Sequence, residues 1–155
     1  MLYSLARPFL FGMDPEAAHD LALASLRTIA RAGLAPMLAN SAPARSVKLM
    51  GLTFPNVVGL AAGMDKNGEY IDALAALGFG FLEIGTVTSR SQPGNLKPRM
   101  FRLPEAQALI NRLGFNNQGL AAFTARLAQR KRAGRAGIVG ANVGKNRDTV
   151  DAAAD

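Results

Sequence analysis

The hydrophobic positions of the first part of the chain repeat at helical spacing. The opening segment carries a short apolar stripe, made of Leu2, Leu5, Ala6, Phe9 and Leu10. Asp14-Pro15-Glu16 then predicts a second helix, because aspartate caps helices, proline suits the first turn and glutamate favours the positive end of the dipole. This helix should run to about Ala32 and end at Gly33. Its predicted apolar face is Ala18, Leu21, Ala22, Ser25 and Ile29, widened by Leu23, Leu26 and Ala30.

Two short helices of this kind predict a small N-terminal subdomain over residues 1–40. Its apolar stripe either lies on a membrane surface or packs on the rest of the domain. Residues 35–45 contain Pro36 and Pro43 and are predicted to be a linker. The hydrophobic pattern changes after this segment.

From Val47 onward, short apolar runs alternate with amphipathic segments. The expected strands lie at 57–60, 79–87 and 137–143, after a short strand or hairpin at 49–54; helices are expected at 69–77, at 118–133 and from 148–149. Such βα repeats with nearly continuous apolar strands are typical of parallel strands buried on both faces. Three strands would leave an open sheet edge, whereas a closed (β/α)8 barrel takes about 250 residues. The alternatives are a small three-stranded sheet with covering helices and the front portion of a longer α/β domain, and we expect the second.

Small and polar residues gather where each predicted parallel strand ends, at 63–66, 85–86 and 142–146. Because the carboxyl ends of parallel strands meet at the face where α/β folds bind ligands, these groups predict one shared pocket. In the first group, small residues leave the backbone open to a flat or anionic ligand, and Lys66 supplies a positive charge. The alternative for this group is an ordinary turn with a solvated lysine.

The segment from Thr88 to Phe115 is too long for an ordinary βα loop, and such loops usually carry function. It leads into the run NRLGFNN at 111–117, whose amides both donate and accept hydrogen bonds and therefore suit cyclic imides and carboxylates. The alternative for this run is turn chemistry. Arg99 and Arg102, in the same insert, are either surface charges or anion clamps.

The composition fits a folded domain and excludes several kinds of site. The chain has 155 residues, of which 49% are hydrophobic, and a mean hydropathy of +0.10. It has no cysteine and one histidine, His19, which excludes disulfides, thiolate metal ligands, cysteine nucleophiles and a histidine-rich metal site. A lone histidine on an apolar helix is more often a packed or surface residue than a functional one.

The net charge of +7 suggests a second class of function. Several cations crowd the end of one predicted helix, where the helix dipole favours positive charge. They are Arg126, Arg130, Lys131, Arg132 and Arg135. This cluster is either a solvated face or a surface for nucleic acid or anionic membrane.

Two further sequence features argue against a phosphate loop and against a transmembrane helix. The run GANVGKN at 140–146 fails as a phosphate loop, because only three residues separate its glycines and Asn146 stands where a magnesium-binding Ser or Thr is needed. No run of about eighteen apolar residues occurs, so the sequence predicts no transmembrane helix.

Five sequence blocks carry a resemblance to a known family. They are GLAAGMDKNGE at 59–69, GFGFLEIGTVT at 78–88, QPGNLKPRMFRLPE at 92–105, INRLGFNN at 110–117 and GANVGKNRDT at 140–149. Through these blocks the chain resembles, over essentially its whole length, the membrane-associated, quinone-dependent class of dihydroorotate dehydrogenase, a flavin enzyme of pyrimidine synthesis. The run DPEAAH at 14–19 is the feature that separates this class from its soluble relatives.

The resemblance implies a (β/α)8 TIM barrel, begun here by residues 41–155 and preceded by the two-helix subdomain, with FMN at the carboxyl-terminal mouth. It implies that dihydroorotate becomes orotate by loss of a proton from C5 and of a hydride from C6 to the flavin, which a membrane quinone reoxidises. It also implies peripheral association with the cytoplasmic side of the inner membrane. No metal and no nucleic-acid partner is expected.

The resemblance also implies roles for individual residues. FMN would contact Ala62, Gly63, Lys66, Thr86 and Asn142. Dihydroorotate would contact Lys66, Asn111, Arg112, Leu113, Gly114, Phe115 and Asn116. The quinone entry would have His19 and Arg102 near its inner end.

No catalytic base is expected within this sequence. The family's serine base, its second asparagine-rich loop, a further flavin-contacting lysine and the FMN phosphate site are all expected beyond Asp155. We therefore expect this chain to be inactive alone. The alternative function is a non-catalytic basic module that binds anionic membrane or nucleic acid.

Overall fold

The computed structural model describes residues 2–39 and 45–155 of the chain. The helices are α1 (Leu2–Gly12), α2 (Pro15–Arg31), α3 (Ile71–Ala75) and α4 (Leu120–Arg132), with 3₁₀ turns at Ala35–Met37 and Ala152–Ala154. The strands are β1 (Val47–Leu49), β2 (Leu52–Phe54), β3 (Gly59–Leu60), β4 (Phe81–Thr88), β5 (Met100–Leu103), β6 (Ala108–Asn111) and β7 (Ile138–Gly144). The order of elements is therefore helical first and α/β afterwards, as predicted.

The predicted start of α2 is confirmed. The Asp14 carboxylate accepts a hydrogen bond from the Ala17 N–H at 3.0 Å, which is the geometry of a helix cap. The predicted linker begins with a 3₁₀ turn, and its residues 40–44 lie outside the described residues.

The predicted apolar face of α2 is only partly correct. Leu21, Ala22 and Ser25 are exposed, whereas Leu23 is buried in the core. Leu21 and Leu23 differ by about 200° around a helix, so the helix can bury only one of them. Packing of Leu23 against Ile71 of α3 decides which side faces inward.

Three parallel strands form the central sheet in the order β3-β4-β7. The prediction of a parallel sheet is confirmed. Its core joins residues from the sheet and the helices α2, α3 and α4: Leu23, Ile71, Leu74, Leu82, Ile84, Val87 and Phe123. Strand β4 is mostly buried, but β7 is exposed at several positions and its Val143 is 72% exposed, so the expectation of burial on both faces is wrong for β7.

Several predicted boundaries are corrected. Strand β3 has two residues rather than four, and α3 runs over Ile71–Ala75 rather than 69–77. No α-helix begins at 148–149. There Asp155 accepts hydrogen bonds from the Asn146 N–H and the Thr149 hydroxyl, at 2.6 and 2.9 Å, and these side-chain contacts favour a turn over a helix.

Two hairpins complete the described part of the chain. The predicted hairpin near 49–54 is confirmed as β1-β2, with Met50 and Gly51 at positive φ in its two-residue turn. A second antiparallel hairpin, β5-β6, lies in the long insert, where the sequence predicted only a loop. None of the described helices is long and apolar enough to cross a membrane.

Candidate functional site

A cavity of about 560 Å³ opens at the carboxyl ends of β3 and β4. Helix α2, the turn after β3, strand β4 and the end of β6 all contribute to its wall. The predicted site residues that line it are His19, Ala62, Gly63, Lys66, Thr86, Asn111, Leu113, Gly114, Phe115 and Asn116. Two of the three predicted strand-end groups, 63–66 and 85–86, contribute to this cavity, whereas none of residues 142–146 lines it, so the expectation of a pocket shared by all three strand ends is wrong for the third.

Lys66 supplies the positive charge of this cavity. Its Nζ donates a hydrogen bond to the Gly63 carbonyl at 2.8 Å. Burial lowers the pKa of Lys66, while the carboxylates of Glu16, Asp20 and Asp65 act to raise it. The partly desolvated Lys66 ammonium can pair with a negative group of a ligand, in a cavity that is also lined by the carboxylates of Glu16, Asp20, Asp65 and Glu69.

Asp65 holds the turn that carries Lys66. This residue is only 3% exposed, and its carboxylate accepts hydrogen bonds from the N–H groups of Asn67, Glu69 and Tyr70, at 3.3, 3.0 and 2.7 Å. These contacts satisfy the backbone donors just before α3. The position of the lysine therefore depends on a neighbouring buried carboxylate.

Backbone hydrogen bonds join the ends of β3 and β4. The Gly63 N–H donates to the Gly85 carbonyl at 2.8 Å, and the Gly85 N–H donates to the Asp65 carbonyl at 3.1 Å. Gly85 has a φ of 130°, and a Cβ there would collide with the Asn142 carbonyl. Glycine is thus required where the two strands and β7 approach each other.

Asn142 lies behind the cavity wall. The Thr86 hydroxyl donates to Asn142 Oδ1 at 2.6 Å, and Asn142 Nδ2 donates to Glu83 Oε1 at 2.7 Å. Thr86 lines the cavity, but Asn142 does not. Among the described residues, Asn142 therefore affects the cavity by holding the Thr86 hydroxyl that lines it.

The asparagine-rich run at 111–117 contains residues that line the cavity and residues that do not. Asn111 and Asn116 line the cavity, and Asn116 Oδ1 is buried without a hydrogen-bond partner among the described residues. Burial of an unpaired acceptor costs free energy unless a ligand or a water donates a hydrogen bond to it. Arg112 does not line the cavity; its Nη2 donates to the Pro98 carbonyl at 3.2 Å.

Asn117 has a structural role. Its Oδ1 accepts from the N–H groups of Thr88 and Gly119, at 3.3 and 2.8 Å, and its Nδ2 donates to the Phe115 carbonyl at 2.7 Å. The turn-chemistry alternative is therefore correct for Asn117. Asn146, after β7, is similarly buried and donates to the Arg90 carbonyl and Gln92 Oε1, at 2.8 and 3.0 Å.

His19 and Arg102 line different cavities. His19 lines the main cavity, whereas Arg102 lines a second one of about 1000 Å³ between α1 and the β5-β6 hairpin. The Arg102 guanidinium donates to the carbonyls of Leu10 and Met13, at 3.0 and 2.7 Å, and lies 4.9 Å from the Phe11 ring centroid. Arg102 therefore clamps the end of α1 in addition to lining this cavity.

Internal ion pairs account for much of the basic cluster. Arg126 contacts the Glu69 carboxylate at 3.0 Å, and Arg130 contacts Asp72 at 2.9 Å. These arginines tie α4 to α3 and its preceding turn, while Lys131 and Arg132 are exposed. No acidic or histidine cluster suited to a metal ion occurs among residues 2–39 and 45–155.

Sequence reasoning missed the contribution of α2 to the cavity. Glu16 and Asp20 line it beside His19, and Met100 and Tyr70 complete the wall. Glu16 was interpreted only as a residue that favours the start of the helix. The contact depends on how α2 packs against α3 and strand β5, and local spacing carries no signal for that packing.

A cavity lined by glycine backbone, a desolvated lysine and amides at the ends of parallel strands defines a ligand-binding α/β protein. A sequence model of the family described as dihydroorotate dehydrogenase matches residues 45–155. The chain therefore belongs to the dihydroorotate dehydrogenase family.

Relatives and solved structures agree with this assignment. The chain is 59% identical to a dihydroorotate dehydrogenase (quinone) of Nitrosospira multiformis, covering 100% of this chain and 43% of the relative. It is 60% identical to the protein of the same name from Xanthomonas euvesicatoria pv. vesicatoria, covering 96% and 42%. A ligand-free DHODH structure from Eimeria tenella matches with 46% identity and a TM-score of 0.76, over 92% of this chain and 40% of the other.

The matches have two consequences. The fold is part of a (β/α)8 barrel, because the structural match extends over nearly the whole described chain. The chain spans about 43% of the length of the curated relatives it matches.

Proposed function

We propose that the complete protein oxidises dihydroorotate to orotate in de novo pyrimidine synthesis, with FMN as prosthetic group and a membrane quinone as electron acceptor. The observation that carries the proposal is the 59% identity, over the whole chain, to a relative named dihydroorotate dehydrogenase (quinone). The activity is assigned to the complete protein. Within it, residues 1–40 would form the quinone-associated subdomain and residues 41–155 the first part of the FMN-binding barrel.

The cavity residues fit an FMN group. No atom lies within 4 Å of the place where a Cβ on Gly63 would stand, so the backbone there is open to a flat ring. Ala62, Gly63, Lys66 and Thr86 would hold the FMN directly, with Asn142 fixing the Thr86 hydroxyl. When bound, FMN would supply the acceptor for the hydride that leaves dihydroorotate.

The remaining cavity residues suit dihydroorotate. Its carboxylate would pair with the Lys66 ammonium, and its ring amides would bond with Asn111 and Asn116, including the buried Oδ1 acceptor of Asn116. Loss of a proton from C5 and of a hydride from C6 would leave the double bond of orotate. We assign no catalytic base within the described residues; the groups named here bind and orient.

Purification of the complete gene product tests the proposal. We expect a yellow protein whose released cofactor has the mass of FMN, whose flavin absorbance is bleached by dihydroorotate, and which reduces a soluble quinone analogue. A colourless protein that neither binds FMN nor consumes dihydroorotate would contradict the proposal.

The N-terminal helices support the proposed peripheral membrane association. Leu5 and Phe9 of α1 are 79% and 68% exposed, and a helix with such an apolar side can lie in a membrane interface. Association with the cytoplasmic side of the inner membrane would bring this surface to the quinone.

The exposed side chains of Lys131 and Arg132 are the observation that favours the alternative function, a basic module that binds anionic membrane or nucleic acid. Arg126 and Arg130 do not favour it, because they form ion pairs within the chain.

Replacement of His19 with alanine tests the quinone role. We expect the quinone-reducing half-reaction to slow by roughly tenfold or more, with flavin reduction by dihydroorotate less affected, because His19 lies on the α2 wall of the cavity and outside the Lys66 turn and the loop 111–116 that would bind the substrate. Stopped-flow measurement of each half-reaction checks this expectation. Arg31→Ala, at the far end of the same helix, is the control. Equal slowing of both half-reactions would argue against the role.

A further inference from the structure

An ion pair joins the first turn of α2 to the long insert. Arg99 Nε lies 3.1 Å from both Glu16 carboxylate oxygens, and its Nη2 lies 2.8 Å from Oε1. The two side chains are only 8% and 14% exposed, although the residues are 83 positions apart. The Arg99 guanidinium lowers the pKa of Glu16, so the pair persists at neutral pH and is lost only as pH falls through that lowered value.

The other edge of the same guanidinium holds a loop. Arg99 Nη1 donates to the carbonyls of Pro93 and Asn95, at 2.6 and 2.8 Å. One planar group therefore fixes α2 and residues 93–95 relative to each other. Arginine suits this position because its fork donates in two directions at once.

Residues 93–95 in turn hold the substrate-binding loop of the proposed function. The Asn95 N–H donates to the Leu113 carbonyl at 3.0 Å, and its Nδ2 donates to the Arg112 carbonyl at 2.7 Å. The Arg112 N–H donates back to the Arg99 carbonyl at 2.8 Å. A continuous set of contacts thus runs from Glu16 through Arg99 to the loop 111–116, which lines the same cavity as Lys66.

We propose that Glu16 and Arg99 are positioning residues that couple the N-terminal helix α2 to the loop 111–116 and thereby set the affinity for dihydroorotate. The inference rests on the proposed function for its ligand. Glu16 also lines the cavity, so replacement of Arg99 with an uncharged residue would leave the Glu16 carboxylate with only the exposed Lys97 as a partner, beside an anionic substrate. Loss of Arg99 should therefore weaken substrate binding more than loss of the Glu16 charge does.

Kinetics of the complete, FMN-loaded enzyme test the inference. We expect Arg99→Met to raise the KM for dihydroorotate by roughly ten- to a hundredfold, with a smaller change in kcat, and Glu16→Gln to raise it less. The double variant should recover part of the loss, because it removes a carboxylate that only the exposed Lys97 would still contact. Lys97→Met is the matched control: Lys97 contacts the same Glu16 carboxylate at 3.3 Å but is 65% exposed, so its KM should change less than about twofold.

A second readout separates this inference from the proposed function. Backbone amides of residues 112–116 should exchange hydrogen faster in Glu16→Gln and Arg99→Lys than in Lys97→Met, whatever reaction the enzyme catalyses. Arg99→Lys keeps the charge and serves if Arg99→Met fails to fold. Unchanged KM and unchanged exchange in these variants would overturn the coupling. A wild-type protein without dihydroorotate oxidation, but with the exchange difference, would overturn the proposed function and leave the coupling supported.

Discussion

Replacement of Lys66 with alanine should reduce dihydroorotate turnover by roughly a hundredfold or more and weaken FMN retention. Its ammonium is the positive charge of the main cavity and is fixed by the Gly63 carbonyl at 2.8 Å. Burial makes that charge more effective toward an anionic ligand than a solvated one would be. The measurement is the FMN content of the purified complete enzyme together with its dihydroorotate oxidation rate.

Lys145→Ala is the control for this prediction. Lys145 lies after β7, donates to the Thr149 carbonyl at 2.7 Å and does not line the main cavity, so its loss should leave both quantities nearly unchanged. The same control tests the rejected phosphate-loop interpretation of residues 140–146. If Lys66→Ala retained wild-type turnover and FMN content, the binding cavity would have been placed wrongly.

The lowered pKa of Lys66 predicts that the free energy of unfolding depends on pH. Because its folded-state pKa lies below the ordinary value of 10.5, the unfolded state holds more protons between the two values. The free energy of unfolding should therefore gain a positive contribution as pH rises through that window. This contribution should disappear in Lys66→Met, as denaturant titrations at several alkaline pH values would detect.

Replacement of Asp65 with alanine should destabilise the protein by roughly 2–4 kcal/mol. The substitution leaves the partly buried N–H groups of Asn67, Glu69 and Tyr70 without their acceptor. Since these residues connect Lys66 to α3, FMN retention should fall as well. Urea denaturation and hydrogen exchange at residues 67–70 provide the measurement.

Asp14→Ala is the graded comparison for this effect. The Asp14 carboxylate accepts a single hydrogen bond, from Ala17 at an exposed helix start, so its loss should cost about 1 kcal/mol. Equal destabilisation by the two variants would show that the buried network around Asp65 contributes nothing beyond an ordinary cap.

Sequence periodicity predicted the elements better than their lengths. The parallel strands β4 and β7 and the helices α2 and α4 are where the pattern placed them, because long apolar repeats bury one side against a core. Helix α3 begins later than predicted, since the buried Asp65 carboxylate accepts the N–H groups of Glu69 and Tyr70. Strand β3 is shorter than predicted at its start, where the Val58 N–H donates to the Asn56 side chain. The β5-β6 hairpin escaped prediction because its strands are largely exposed and lack a regular apolar alternation.

The candidate site also contains residues that the sequence predicted and residues that it did not. The small residues and Lys66 after β3, and Thr86 in β4, were predictable because parallel strands end on a common face. The different roles of Asn116 and Asn117 were not predictable, because the two amides are adjacent in sequence and differ only in what surrounds them.

The sequence by itself determined the family, the parallel α/β arrangement and the face on which the main cavity opens, since these follow from local patterns and from motifs at strand ends. Only the tertiary structure decided that Glu16 pairs with Arg99, that Arg102 clamps α1, and that α2 forms one wall of the cavity. Those contacts join residues more than eighty positions apart. Their geometry comes from how α1 and α2 pack against the insert that carries the β5-β6 hairpin, which spacing along the chain does not encode.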